Sequence, residues 1–237
     1  METASLTPPR LAIGSPGVYD VAALQPFVDQ LPSDQQSGAS LLIFNLVQIS
    51  KLVDAFAAAV ALLDHVEKLA LDVEAVHPGP SKPIEVARAV HALELWSEMA
   101  GRDAVMTVYH FEKTIASVRS ALNDVPAVKC DVEHENLRGA AKRFRQDFPH
   151  SEKARHAVGH RAELTASIKS IKANSEAGAF IFGRLRSRVY TVSFDGVHRE
   201  LAIENGNRLK FAEIARDVFS AFPKLAANLP PLNIKPQ

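Results

Sequence analysis

The sequence predicts a mainly α protein, α+β overall, in which an antiparallel bundle of long helices precedes a small antiparallel β-hairpin or meander and a final helix. Three observations favour this fold class. Apolar residues recur every three or four positions through two long stretches, which is the spacing of an amphipathic helix. Three prolines within residues 78–83 separate those stretches and favour a helical hairpin. Beyond residue 175 the apolar runs become short and rich in β-branched and aromatic residues, and Asp195-Gly196 is a typical two-residue hairpin turn.

Composition limits the class of protein. The chain has 237 residues, with 27 basic and 27 acidic side chains, so its net charge gives no nucleic-acid or membrane signature and any polyanion site must be local. Cys130 is the only cysteine, which excludes an intrachain disulfide and a cysteine-rich zinc site. The start lacks the features of a secretory signal, and the longest apolar run, residues 55–63, is too short to span a bilayer. We therefore expect a cytoplasmic protein with no membrane partner.

The first half of the chain supplies the long helices. Residues 1–39 are predicted to form an extended arm and a short helix over 21–31, with Ser33 or Asp34 capping the helix that follows. Long core helices are predicted over 40–76 and 84–122, the second kinked or briefly broken at Gly101. In this second helix we expect Trp96 and Met99 to make core or dimer contacts.

Two further helices complete the predicted bundle, which spans residues 40–175. A basic helix is expected over 131–146, and another runs from 151 to 173. Residues 176–237 are predicted to be an appendage of strands over 180–185, 189–194 and 197–203, a helix over 209–222, and a tail that is a surface strap or disordered. Arg184, Arg186 and Arg188 are expected to form a basic, solvated hairpin end.

Residues 152–161 contain the densest cluster of groups that can carry chemistry, with Arg155, His156, His160 and Arg161 close together. Three interpretations remain open. The arginines can hold a phosphodiester while a histidine moves a proton. His156 and His160, four residues apart on a helix, can ligate a metal, with a third ligand sought among His150, Glu152, His110 and His134. Surface charge at the start of a helix is the third interpretation.

The spacing of this cluster resembles the motif of the HEPN superfamily. An arginine, a polar residue, three other residues and a histidine match its R-x4-6-H pattern at Arg155, His156 and His160, within a helix that follows two long helices and a basic one. The resemblance covers roughly residues 40–173. It implies a metal-independent ribonuclease site, with no cofactor, formed where the motif helices of two subunits meet.

The resemblance also implies a role for each residue. Arg155 would bind the scissile phosphate, His160 would act as base on the ribose 2′-hydroxyl or as acid for the leaving oxygen, and His156 would orient or contact the phosphate. Histidine suits proton transfer because its ordinary pKa lies near neutrality. The phosphate or RNA surface would be extended by four further cations, Arg161, Arg138, Lys142 and Arg145.

Non-catalytic proteins are common in this superfamily, so a binding function is expected first and two alternative functions stay open. We expect an HEPN-like interaction or nucleotide-binding module that forms a homodimer, with RNA, a nucleotide or a second protein as its partner. The first alternative is the metal-independent ribonuclease, of toxin or defence type, using Arg155 and His160. The second is a helical structural protein of unrelated function.

Overall fold

The computed structural model describes residues 24–80 and 83–232, so the arm predicted over residues 1–20 lies outside the described residues. The secondary structure within them confirms the predicted fold class. Its elements are α1 (Gln25–Asp29), α2 (Gln36–Val76), α3 (Ile84–Ala121), a 3₁₀ turn (Leu122–Asp124), α4 (Pro126–Lys129), α5 (His134–Asp147), α6 (Ser151–Gly159), α7 (Arg161–Leu164), α8 (Ile168–Asn174), β1 (Arg184–Arg186), β2 (Val189–Phe194), β3 (Val197–Ala202), α9 (Asn205–Ser220) and α10 (Pro223–Ala226).

Helices α2 and α3 form the predicted helical hairpin. Helix α2 ends at Val76, just before Pro78, as expected from the proline cluster. Two details of the prediction are wrong. The N-cap of α2 is Gln35, whose side chain makes no cap hydrogen bond, and the break predicted at Gly101 is absent because α3 is continuous there. The alternative, a kink at Gly101, stays a prediction. Gly101 is required for packing, because a Cβ at this position would overlap the ring of Tyr190.

The aromatic centre of the core is built from four helices. Phe56 of α2, Phe111 of α3 and Phe144 of α5 gather around Phe211 of α9, with ring centroids 4.6 Å apart for the Phe111–Phe211 pair and 4.8 Å for the Phe56–Phe211 pair. The last long helix therefore packs into the same hydrophobic cluster as the hairpin. The predicted boundary between a bundle and an appendage near residue 175 stays a prediction.

The helix predicted over 151–173 is interrupted twice, which corrects the sequence interpretation. Helix α6 ends at Gly159, and His160 has φ −111° and ψ 33°, outside the helical region. Helix α8 starts only after Ser167, whose hydroxyl oxygen accepts a hydrogen bond from the backbone N–H of Ser170. Glycine has a low helix propensity and serine is a favourable N-cap, so both interruptions have a local cause.

The sheet is an antiparallel meander in the order β1-β2-β3. Asp195 and Gly196 form the predicted turn, with φ values of 52° and 69° that suit a type I′ hairpin. Ser187 and Arg188 make the turn between β1 and β2, also at positive φ. The sheet packs through β2 against α6, and the buried Tyr190 contacts α3 at Gly101.

The chain that follows the sheet differs from its prediction at one point. The last long helix begins at Asn205, four residues before the predicted start. Of the two predictions for the tail, a surface strap and disorder, burial of Leu225, Leu229 and Pro230 favours the strap within residues 223–232. Because these apolar residues pack on the core, residues 223–232 are not disordered.

The outer half of the α2–α3 hairpin, which is the half that includes the end of α2 and the start of α3, extends beyond the shorter helices that pack on the hairpin. At 1.5 Å per residue α2 is about 60 Å long, whereas α9 is about 24 Å long. Trp96 and Met99 are 42% and 54% exposed, so a core role for them is wrong and the predicted dimer contact stays open.

Helix α2 is also long and apolar enough to cross a membrane, judged by length and composition alone. Half of its most apolar window is buried within the described protein. The core helix of a soluble protein passes the same test, so this is weak evidence. The predicted cytoplasmic location and the expected absence of a membrane partner stay predictions.

Candidate functional site

The motif residues are held at the junction of α6 and α7. Arg155 and His156 lie on α6, and His160 stands between the two helices. The Nη1 atom of Arg155 is 3.4 Å from Nε2 of His160. The rings of His156 and His160 are stacked, with centroids 5.1 Å apart. The structure therefore brings together the three residues that the sequence analysis singles out as catalytic candidates.

His160 has a carboxylate on its other side. Its Nδ1 atom is 2.7 Å from Oε2 of Glu163, which lies on α7. A carboxylate at Nδ1 favours the proton on that nitrogen, which leaves Nε2 with a lone pair that accepts a hydrogen bond from Arg155. The side chain of His160 is 37% exposed, so a ligand can reach it. This is the arrangement that orients a histidine for general-base chemistry.

Tyr109 of α3 forms the floor beneath Arg155. The guanidinium carbon of Arg155 lies 5.1 Å from the centre of the Tyr109 ring, and Nζ of Lys113 lies 5.2 Å from the same centre. Cations placed over an aromatic face are stabilised by the ring quadrupole. Lys113 is also paired with Glu152 at 3.3 Å, so its charge is partly compensated. The neighbouring His110 is exposed and touches the edge of the Tyr109 ring.

Arg155 differs from most nearby cations because it has no carboxylate partner among the described residues. Its Nε atom is buried and makes no hydrogen bond there, and the guanidinium contacts His160 and the Tyr109 ring. Lys153, two residues earlier, is paired with Asp195 at 3.5 Å. A half-buried guanidinium with uncommitted donors is suited to receive an anionic ligand.

His156 contacts the sheet as well as His160. Its ring stacks against Phe194 of β2 at 5.7 Å, and its side chain is exposed. The end of β2 therefore forms one side of the site. This contact between α6 and the sheet is not visible in the sequence, because Phe194 is 38 residues away from His156.

The four residues predicted to extend a phosphate surface have different environments. Arg161 donates a hydrogen bond to the carbonyl oxygen of Phe182 at 2.8 Å and lies over its ring at 3.9 Å. Arg138 is paired with Glu135, whose carboxylate raises the pKa of the arginine through a hydrogen bond. Arg145 donates from Nε to the carbonyl of Ala141, and Lys142 is exposed. The guanidinium groups of Arg161 and Arg138 are therefore engaged in contacts within the chain.

The metal interpretation finds no further support. Within residues 24–80 and 83–232, no group of three or more His, Cys, Asp or Glu side chains is placed to hold a metal ion. Of the proposed third ligands, Glu152 is paired with Lys113, and His134 contacts the carbonyl of Lys129.

A second cluster in the sheet has the residue types of a serine hydrolase but not the geometry. Ser193 Oγ is 3.0 Å from Nδ1 of His198, and the Glu176 carboxylate lies 3.5 Å from the same nitrogen. A catalytic triad uses the two nitrogens of its histidine for different partners. Ser193 is also completely buried and accepts a hydrogen bond from the N–H of Ile181. The cluster therefore fixes the segment before β1 onto β2.

A cavity of about 220 Å³ lies away from the motif, between α1, α4 and α10. Phe27, Val128 and Phe222 give it mostly apolar walls, and Lys224 at its edge is paired with Asp131 at 2.6 Å. Since its charged groups neutralise each other, this cavity offers little for catalysis.

Besides Phe194, two contributors to the site were not predicted from the sequence. Glu163 is three residues after His160, a spacing at which helical side chains can meet, and this was the available signal. Tyr109 stands in the sequence beside His110, but its position under Arg155 depends on how α3 packs against α6.

Comparison of the chain with protein-family models, with curated proteins and with solved structures found no match. The resemblance to the HEPN superfamily therefore stays a prediction that rests on the motif residues.

Proposed function

We propose that the protein is an HEPN-like module that binds the phosphate of RNA or of a nucleotide at Arg155, His156 and His160. The observation that carries this proposal is the half-buried Arg155, which has no carboxylate partner among the described residues and lies against His160. Guanidinium groups bind phosphate oxygens through several parallel N–H donors, and imidazole adds another polar contact. The overall charge of zero is compatible with such a site because the attraction is local.

Equilibrium binding tests this proposal. The ligand is a fluorescein-labelled RNA of eight nucleotides with 2′-O-methyl groups, which cannot be cleaved through the 2′-oxygen. We expect His160→Ala to weaken binding about three- to tenfold, as for the loss of one hydrogen bond. His91→Ala is the matched control, because His91 is exposed on the outer hairpin and pairs only with the nearby Glu94. Absence of binding by the parent protein, or equal weakening in both variants, would contradict the proposal.

A second candidate function is metal-independent RNA cleavage, and the contact between Glu163 and His160 favours it. In this mechanism Nε2 of His160 removes the proton from the ribose 2′-hydroxyl, and the oxygen attacks the phosphorus held by Arg155. The bond to the 5′-oxygen of the next nucleotide breaks, that oxygen takes a proton from solvent water, and a 2′,3′-cyclic phosphate is formed. Glu163 acts as a positioning residue because it holds the proton on Nδ1 of His160.

Cleavage of unmodified RNA in excess chelator separates this candidate from binding alone. We expect His160→Ala to lower the rate by about 100-fold or more, since a positioned base contributes at least that factor. Glu163→Gln should lower the rate less, because an amide oxygen holds the proton on Nδ1 of His160 less strongly than a carboxylate does. Cleavage that survives in His160→Ala, or that requires a divalent metal, would exclude this mechanism.

The proposal includes a homodimer. The exposed apolar side chains Leu95, Trp96 and Met99 on α3 support it, because contiguous exposed apolar residues are typical of interaction surfaces. Light scattering of the purified protein measures its mass directly. We expect twice the 25.8 kDa chain mass for the parent protein and a shift toward the monomer for Trp96→Glu with Met99→Glu. A monomeric parent protein would remove this part of the proposal.

A further inference from the structure

We infer that the ligand of this site is a single-stranded RNA segment longer than one nucleotide, which runs along α3 to a second phosphate subsite formed by Arg119 and Arg145. The inference rests on the proposed function and identifies the class of ligand. From the sequence, Arg145 is predicted only to extend a general phosphate surface, and Arg119 has no predicted role.

The two arginines line one cavity, although they come from different helices. A space of about 120 Å³ separates α3 from α5 and is bordered by Arg119 and Ala116 on one side and by Arg145 and Ala141 on the other. The small alanine side chains leave the floor open. Both arginines are exposed, so solvent screens their mutual repulsion, and an anion placed between them is attracted by both.

Neither arginine is neutralised within the described residues. Arg145 uses Nε to donate to the carbonyl of Ala141, and no ion pair joins Arg119 or Arg145 to a described carboxylate. Glu112 is the one acidic side chain lining the cavity, and its carboxylate accepts a hydrogen bond from Ser151 at 2.7 Å. The cavity therefore has two positive charges against one negative charge that is already hydrogen-bonded.

The second subsite is aligned with the motif site along α3. Tyr109, Glu112, Ala116 and Arg119 are spaced by three, four and three residues, so they share one face of the helix. Tyr109 lies beneath Arg155, which places the two subsites about 15 Å apart along the helix axis. A stacked strand advances about 3.4 Å per nucleotide, so this distance corresponds to roughly four nucleotides. A mononucleotide cannot reach both subsites.

Arg119 and Arg145 also stand in the last turns of α3 and α5. A cation in this position interacts favourably with the helix dipole, which would explain each arginine separately as a stabilising residue. The two explanations differ in their consequence: a dipole effect changes the melting temperature, whereas a phosphate subsite changes affinity in a manner that depends on ligand length.

The test uses the full chain and 2′-O-methyl oligouridylates of two and eight nucleotides. Fluorescence anisotropy measures the longer ligand, and NMR titration measures the weaker dinucleotide. We expect the parent protein to bind eight nucleotides at least about tenfold more tightly than two. Arg119→Gln combined with Arg145→Gln should remove at least about tenfold of affinity for the longer ligand, leave the dinucleotide unaffected, and lower the salt slope by about 1.4.

Arg216→Gln is the matched control, since Arg216 is an exposed arginine of α9 that does not line the cavity. Equal affinities of the parent protein for the two ligands would overturn the inference. A double variant that still binds eight nucleotides more tightly than two, as the parent protein does, would also overturn it. A double variant whose only change is a lower melting temperature would do the same. Failure of the parent protein to bind either ligand would refute the proposed function itself, and with it this inference.

Discussion

Arg155 and Arg188 are both partly buried arginines, and their surroundings differ sharply. Arg188 lies in the turn between β1 and β2 and reaches α2, where its Nε is 2.9 Å from Glu67 and its Nη2 is 2.6 Å from Asp64. Arg155 lies over the ring of Tyr109 and beside His160, with no carboxylate partner among the described residues. The sequence analysis expected Arg188 in a solvated hairpin end, and this expectation is wrong because its side chain is only 26% exposed.

The difference separates a structural arginine from one that can bind a ligand. Hydrogen bonds that Arg188 donates to Glu67 and Asp64 raise its pKa, and they occupy the donors that a phosphate would need. The same pairing stabilises a turn in which Ser187 and Arg188 have positive φ, a conformation that costs free energy for residues other than glycine. At Arg155 the donors remain available, so its contribution is expected in binding and not in stability.

Replacing Arg155 should have the largest effect on binding. We expect Arg155→Gln to weaken the eight-nucleotide RNA about 10- to 100-fold, because a charge-assisted hydrogen bond contributes about 1.5–3 kcal/mol. The melting temperature should stay the same or rise, because the unpaired charge of a half-buried side chain is removed. Anisotropy and thermal melting on one sample measure both. A large loss of stability without a loss of affinity would show that Arg155, like Arg188, is a structural arginine.

Replacing Arg188 should have the opposite result. Arg188→Gln leaves Asp64 and Glu67 without their shared cation, and we expect a loss of about 1 kcal/mol, discounted for partial exposure. This corresponds to a decrease of about 2–4 °C in the melting temperature of a domain of this size. Calorimetry measures the change, and RNA affinity serves as the control. Weakened RNA binding at an unchanged melting temperature would show that Arg188 belongs to the ligand site.

Asp54 of α2 is the converse case and has the smallest expected effect, because this half-buried carboxylate forms no ion pair with any described residue. Burial raises its pKa, so the charged form is disfavoured in the folded state. Its contribution to stability is complete below the pKa of the unfolded chain and is lost as the pH rises through the higher folded pKa. We expect Asp54→Asn to raise the melting temperature by about 1 °C at pH 7 and to leave it unchanged near pH 3. A melting temperature that falls at pH 7 would indicate that the carboxylate has a stabilising partner.

The sequence predicts the long hairpin and the Asp195-Gly196 turn well, because each depends on a local pattern of apolar spacing or turn chemistry. The sequence also predicts that Arg155, His156 and His160 lie close together, because they are at most five positions apart. The break at His160 was harder to foresee. Gly159 lowers helix propensity by only about 1 kcal/mol, which tertiary packing often overrides. Here helix α6 ends at that glycine.

Features that depend on distant residues could not be read from the chain. Tyr109 reaches Arg155 only because α3 packs on α6, and Phe194 reaches His156 only because the sheet packs there as well. Gly101 was interpreted from its own helix, whereas its neighbour is Tyr190, far along the chain. The candidate site was therefore identified by its motif, while the residues that surround it came from tertiary structure.

The position of Phe211 in the centre of the core has a consequence for how the protein is made. Phe211 stacks on Phe56, so the aromatic centre closes only when two residues separated by 155 positions are both present. A growing chain must hold α2 and α3 with much of their apolar surface uncovered until α9 has left the ribosome. The partners of Arg155 and the two histidines, namely Tyr109, Glu163 and Phe194, all precede α9 in the chain. The site therefore depends on α9 only through the core that supports α3.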